Sequence, residues 1–406
     1  MFWDADLWMI PALALLDAPA SAAVTGFRGR TLDMAKRNAG LYGLQGAMYP
    51  WETATNDGHD ACVAGSDWSE QRKCSALRGL ANVVSVASNG HRHGLRADIS
   101  LDVALGVLAT ARAYQNVDFN LNTAFPVVSN VATWLLSRGE WTANGFEVLH
   151  MGGPDETLGQ VNNSNFFNVA GMMVLRGAVE IAETMPAGYA DKNAVAEWQK
   201  ALDQMVLAKS GEVIKPFSEA PDKLADATPE NWSLGSLAYL FAQGLPESGA
   251  LTVAEINATL KAEEVMRKRF ASGGSVPCSS KTEWFICGPY AAITAFLGDR
   301  AGSLSIQQSY ATQFHLPPFL TTTEVAASRR NFGHYGTNWG ATLQALTLGM
   351  TGLRLGKLGS DPTTWAAQPA SLPSGWDSVE FGAWLGGKRF AVVAEHGQRA
   401  KLTPMA

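Results

Sequence analysis

Cysteine and histidine are scarce in this chain, and so are charge and uninterrupted apolar runs. The four cysteines among 406 residues fall into two local pairs, Cys62 with Cys74 and Cys278 with Cys287. Neither pair has the two-residue spacing of a zinc knuckle or a redox motif. Two loop-stapling disulfides suit the spacing and would favour a periplasmic or secreted setting over the cytoplasm; four free thiols are the alternative. The seven histidines include His91 and His93 in "NGHRHG", but no H-E-x-x-H helix or acidic cluster completes a metal shell there. "TNDGHDAC" offers Asp57 and Asp60 without the alternating ligands and distal Glu of a calcium loop. No metal or organic cofactor is expected.

Basic residues form no block, and the formal charge is -6, so a groove that tracks nucleic-acid phosphates has no electrostatic support. The longest apolar run, Trp8 to Leu16, is broken by Pro11 and falls far short of the ~20 residues of a membrane span. Asp4 and Asp6 stand where a secretion signal carries its cationic region. The G-x-S-x-G elbow of serine hydrolases is missing. "GAWLGGKR", Gly382 to Arg389, approaches a P-loop but ends in Arg where Ser or Thr would bind magnesium, and it precedes a strand pattern.

What is present is mostly helix. Leu101, Leu105, Leu108 and Ala111 recur at helical spacing, as do Phe167, Ala170, Val174, Ala178 and Ile181. Similar stretches lie near 6–17, 20–37, 122–138, 191–207, 254–270, 281–298 and 337–350. No repeat of 20 to 50 residues links them, which leaves a closed helical toroid or an irregular bundle. The tail changes period: "SVEFGAWLGGKRFAVVAEHGQRAKL" alternates short apolar runs with Gly-Gly and His-Gly and predicts antiparallel hairpins. "GSDPTTWAAQPASLPSG" reads as a connecting loop.

Long Gly/Pro/Asn-rich loops at 40–66, 139–163, 271–280 and 314–336 carry Trp51 and Trp141 and the acids Glu52, Asp155, Glu156 and Glu324, and loops on a rigid scaffold usually carry chemistry. Trp3-Asp4, Trp51-Glu52 and Asp155-Glu156 each set a carboxylate beside an indole or a rigid corner. In "HMGGPDETLGQVNNSNFFN" Pro154 fixes its own φ and pushes Gly153 to an extended shape, so the backbone at Asp155 and Glu156 is held. Sugars need this mixture, an indole face for the pyranose C–H face and carboxylates for neighbouring hydroxyls. Buried tryptophan anchors with helix-capping acids are the plainer reading.

"FWDADLWMIP", "GAMYPWETA", "MGGPDETLGQVNNSNFFN" and "NFGHYGTNWGATLQALTLGMTGLRL" occur in the order seen in glycoside hydrolase family 65, and the chain resembles that family over nearly its whole length. The resemblance implies a mainly α fold, an (α/α)6 barrel over residues 1–355 without its first helix, and a small C-terminal antiparallel β module over 356–406. The family's large N-terminal β-sandwich would also be lacking, because "FWD" begins at residue 2. Glu156, in the "GPDE" position, would be the general acid. Trp3 and Asp4 would hold the non-reducing glucose, with Trp51 and Glu52 lining the same pocket.

The family contains phosphorylases with a His/Ser-rich phosphate loop, and hydrolases with a Glu in its place. "PPFLTTTEV" puts Glu324 there, so the resemblance implies a hydrolase with Glu324 as general base. The implied reaction is inverting hydrolysis of a small-molecule α-glucoside of the trehalose or kojibiose type. A phosphate-dependent disaccharide phosphorylase and a catalytically silent sugar-binding remnant are the alternatives. The chain departs from the family where "FWDADLW" replaces the usual Thr-Glu after the Asp, where "PDET" lacks the customary Tyr, and where "ENWSLGSLAYLF" offers Asn231 and Trp232 for a Lys-Gln pair.

Overall fold

A computed structural model describes residues 1–50, 53, 98–151, 161–228, 236–270, 287–313, 315–316, 321–323 and 335–405. A wide π-helical turn, Ala5–Met9, opens the chain and runs into α1, Ile10–Leu16; α2 covers Ala18–Arg30 and α3 Leu32–Leu41. The continuous helix expected at 20–37 is divided at Thr31, whose hydroxyl donates to the Phe27 carbonyl at 3.0 Å. That bond gives the backbone an alternative to the helical ladder and ends α2 there.

α4 follows at Asp98–Tyr114, α5 at Phe125–Arg138, α6 at Asn165–Glu183 and α7 at Lys192–Asp203. Further on come α8 at Ser236–Phe241, α9 at Val253–Phe270, α10 at Cys287–Phe296, α11 at Arg300–Gln313 and α12 at Gly336–Gln344. Among the described residues, three two-residue or three-residue strand pairs decorate the loops. They are β1 (Glu140–Thr142) with β2 (Gly145–Glu147), β3 (Lys209–Ser210) with β4 (Val213–Ile214), and β5 (His315–Leu316) with β6 (Thr321–Thr322). The first of these hairpins lies within what the sequence marked as loop, because three-residue strands leave too short an alternation to read.

Packing sorts the helices into two sets. α1 touches α4, α4 touches α6, α6 touches α8, α8 touches α10, α10 touches α12, and α12 touches α1, so six helices close a circuit. α2 and α5 lie against α4, α7 against α6, α9 against α8 and α11 against α10. The residues follow the same division. α4 and α6 are buried almost all the way round, as apolar helices inside a fold must be, whereas α7 buries only Trp198, Ala201 and Leu202.

The tail forms the antiparallel sheet β7 (Ser378–Leu385), β8 (Lys388–Glu395) and β9 (Lys401–Pro404). Gly386 and Gly387 both have positive φ, at 59° and 78°, as a two-residue hairpin turn twisted to match its strands requires. The near P-loop is therefore a hairpin. β7 packs on α1 and α4, and one hydrophobic cluster runs from Trp3 through the helices to Phe390 and Val392 of the sheet. Among the described residues no helix is long and apolar enough to cross a membrane, and no cluster of ligands could hold a metal. Cys287 is disulfide-bonded; Cys62, Cys74 and Cys278 lie outside the described residues.

Between α8 and α9 the fold buries a carboxylate. Glu263 of α9 accepts the backbone N–H groups of Leu237 and Ala238, at 2.9 and 3.1 Å, and so tethers the start of α8. Burial outweighs these two bonds and pushes its pKa up to about 7. Tyr290 of α10 lies alongside, its own pKa raised by burial and then by the Glu263 charge. Folding thus tightens the hold of Glu263 on its proton. The stability it contributes is complete below the ordinary glutamate range and is lost as pH rises to about 7. Glu263→Gln removes this dependence, so the wild-type melting temperature should fall by a few degrees relative to the variant between pH 5 and 8. Calorimetric scans across that range check it, and a constant difference would contradict it.

Candidate active site

The inner helices α4, α6 and α12 carry polar residues in or near their first turns, and the start of α12 meets the opening turn of the chain. Asp98, Ser100 and Asp102 of α4, Asn165 and Asn168 of α6, and Thr337 and Asn338 of α12 are all buried. Burying polar side chains costs free energy unless they are hydrogen-bonded, so such a set on otherwise apolar helices marks a candidate functional surface. Asp4 is the centre of the best-defined part. It is 2% exposed and accepts hydrogen bonds at Oδ2 from the Tyr335 hydroxyl at 2.6 Å and the Thr337 hydroxyl at 2.9 Å.

The same stretch anchors a second segment. Tyr335 donates its N–H to the Thr322 carbonyl at 2.9 Å, and the Thr322 hydroxyl donates back to the Tyr335 carbonyl at 2.5 Å. The Asn338 amide donates to the Thr323 carbonyl at 2.5 Å. Residue 323, the immediate neighbour of Glu324, is thereby fixed against the start of α12, the element that also holds Asp4.

A third segment is fixed from beneath. Asp6 and Arg28 form an ion pair with both side chains fully buried at 0% exposure, and Arg28 also donates from Nε to Asp6 Oδ1 at 3.2 Å. Arg28 reaches on to the Thr53 hydroxyl at 3.4 Å, while Thr53 donates its N–H to the Met1 carbonyl at 2.8 Å. Tyr49 donates its hydroxyl to the Arg28 carbonyl at 2.8 Å, and burial raises the pKa of that phenol.

The loop bearing Glu156 has a closed base. Met151 and Val161 exchange two backbone hydrogen bonds of 2.9 Å each. His150 and Asn163 on either side adopt left-handed backbone, with φ of 52° and 50°. Non-glycine residues rarely accept this unless surrounding bonds impose it. Those bonds come from the asparagine run. Asn162 accepts the His150 N–H at 2.8 Å, and Asn163 accepts the Val148 N–H at 3.1 Å while donating to Glu147 at 3.0 Å and Ser218 at 3.1 Å. Arg138 closes the other side, donating to the Leu149 and His150 carbonyls at 2.9 and 3.0 Å; burial lowers its pKa to about 10. α6 itself starts only at Asn165.

Of the residues singled out in the sequence, Trp3 and Asp4 are described, both buried at the site end. Trp51, Glu52, Asp155, Glu156 and Glu324 lie outside the described residues, as do Asn231, Trp232, Asp57, Asp60, His91 and His93. Sequence reading missed Tyr335, Thr337, Asp6, Arg28 and the buried acids of α4. Asp98 and Asp102, four residues apart inside "ADISLDVALGVLA", were a readable signal: a charge in an otherwise apolar helix needs a partner or a task.

Residues 1–223 match the family model of the glycosyl hydrolase family 65 central catalytic domain. The chain belongs to glycoside hydrolase family 65. It is 24% identical over 384 residues to a kojibiose hydrolase of Mucilaginibacter mallensis, covering 93% of this chain and 48% of that protein. It is 28% identical over 193 residues to a kojibiose phosphorylase of Caldanaerobacter subterraneus subsp. tengcongensis, covering 47% of this chain and 23% of the other. The chain thus spans about half the length, or less, of these family members. A solved structure of a candidate kojibiose phosphorylase from the human microbiome superimposes with a TM-score of 0.63 at 16% identity, over 97% of this chain and 55% of the other, a likeness of fold.

The asparagine base gives a direct test of the family loop. Asn163→Ala removes its hydrogen bonds and leaves a Cβ residue in left-handed backbone, which should cost about 2–4 kcal/mol in urea denaturation. Asn163→Gly, free of the backbone strain, should lose less. Equal losses in the two variants would show that the conformation carries no strain.

Proposed function

We propose that this family 65 chain is the catalytic part of an inverting α-glucoside hydrolase, acting on a trehalose- or kojibiose-type disaccharide or a glucosyl conjugate. The six-helix circuit supports an (α/α)6 barrel for residues 1–355, with 356–406 as its β module. Glu156 is assigned as general acid and Glu324 as general base, with Trp3, Asp4, Trp51 and Glu52 holding the non-reducing glucose. The observation that carries the reading is the shared anchoring at α12. Residues 335–338 hold the Asp4 carboxylate through Tyr335 and Thr337 and bond Thr322 and Thr323, just before Glu324.

The chemistry follows from that assignment. Asp4 accepts a glucose hydroxyl hydrogen bond and fixes the ring. Glu156 gives its proton to the glycosidic oxygen as the bond to C1 breaks, and Glu324 takes a proton from a water whose oxygen bonds C1 on the opposite face. The products are β-glucose and the freed alcohol. An inverting pair of carboxyls stands roughly 6.5 to 9.5 Å apart to admit the water. Glu156 has to be protonated near neutral pH, which apolar burial and a neighbouring anion promote.

Proton NMR of trehalose, kojibiose, nigerose and maltose incubated with the protein, with and without inorganic phosphate, tests the reading. β-Glucose should appear first, without phosphate, from at least one sugar. Glu156→Gln and Glu324→Gln should each lower kcat by at least about 10³-fold. Turnover only with phosphate would establish a phosphorylase, α-glucose as first product would exclude inversion, and unchanged turnover in both variants would remove the assignment of the acids.

A further inference from the structure

We propose that Arg28 is a positioning residue for the glucose-holding end of the site, tying the Asp4 turn to the segment that ends at Thr53. The inference rests on the glucoside reading above and adds a residue to it. Asp6 lies just beyond Asp4 on the same π-helical turn, and Thr53 directly follows the Trp51-Glu52 pair in the chain. Arg28 is the side chain that touches both, through an ion pair with Asp6 and a contact to the Thr53 hydroxyl at 3.4 Å. Its backbone carbonyl takes the Tyr49 hydroxyl at 2.8 Å, and its guanidinium lies 5.6 Å from the centre of the Tyr49 ring. Residue 53 is also paired with Met1, through its N–H at 2.8 Å and through its carbonyl, which accepts from the Met1 amine.

The whole cluster is shut away from water: Asp6 and Arg28 are 0% exposed, Thr53 2% and Tyr49 3%. A buried guanidinium needs partners for its N–H groups beyond one carboxylate, and those of Arg28 are drawn from two separate segments, Asp6 on one side and Thr53 on the other. Here a planar fork serves two segments at once, a geometry that a lysine ammonium cannot copy. If those segments carry the groups that grip glucose, loosening the fork weakens the grip on ground state and transition state alike. That loss appears as a raised KM with kcat preserved.

Thr53→Val removes the hydroxyl while keeping shape and leaving the ion pair intact; Arg28→Lys keeps the charge and loses the fork. Both are assayed on the disaccharide that the wild type cleaves best, with glucose as competitive inhibitor and a thermal melt as fold control. Each variant should stay folded, with KM for the disaccharide and the glucose inhibition constant up about 5- to 20-fold and kcat within about twofold. Unchanged KM and inhibition constants in folded Thr53→Val overturn the proposal. So does a fall in kcat alone that follows the folded fraction, which marks a purely structural pair. The wild-type assay is read first: a wild type that cleaves no glucoside sinks the functional reading and this inference with it, whereas an active wild type with an indifferent Thr53→Val sinks only the latter.

Discussion

The π-helical turn at Ala5–Met9 is the constraint on which the rest of the site depends, because it is pressed between two helices at backbone distance. A Cβ on Gly106 of α4 would come within 2.7 Å of the Asp6 carbonyl oxygen. One on Gly340 of α12 would come within 2.7 Å of the Trp8 carbonyl oxygen and of Met9 Cα. No real Cβ tolerates such contacts, so two glycines, on the two helices that flank α1 in the circuit, set the depth of the turn. The turn in turn carries Asp4 at its start and Asp6 within it. Wide turns of this kind re-aim side chains that a regular helix would point elsewhere, and they recur at functional sites.

Electrostatics then fixes what sterics has placed. A buried ion pair rarely adds net stability, since taking both charges out of water costs about as much as their attraction returns. The Asp6–Arg28 pair is better understood as specifying one arrangement. With either partner displaced, a bare charge would stay in a dry interior, which is far more costly than any small rearrangement. The same reasoning covers Glu263, whose carboxylate is surrounded by apolar packing and two amide donors, and whose remedy is to keep its proton.

Much of the fold was legible because its signals are local. Helical periodicity marks α4 and α6, and Gly386-Gly387 between alternating runs marks the β7–β8 hairpin, whose register places Leu385 opposite Lys388. The break at Thr31 was not, since it depends on a hydroxyl choosing the Phe27 carbonyl over solvent. Of the site, the motifs "FWD" and "GPDE" with "VNN" were readable through family resemblance, and the family assignment holds. Arg28, Tyr335 and Thr337 were not readable: each acts on a residue far along the chain, and no sequence pattern announces which threonine or arginine a fold will bring to an aspartate. The asparagines of "VNN" carried only the family resemblance, yet Asn162 and Asn163 spend side-chain bonds on the loop base.

That use of asparagine explains why the loop's base is so heavily bonded. If Glu156 is the acid proposed above, it cannot ride on a loop whose ends drift, because misplacement of the order of 1 Å costs about 10²-fold in rate. The chain answers with left-handed residues at His150 and Asn163, a backbone bridge between Met151 and Val161, and Arg138 closing over two carbonyls. Asparagine suits the task because it tolerates left-handed backbone and offers donor and acceptor on one short side chain. Aspartate would lose the donors to Glu147 and Ser218 and set like charges together; glycine would lose the bonds altogether. The residue types at this base follow from the need to hold its two ends together.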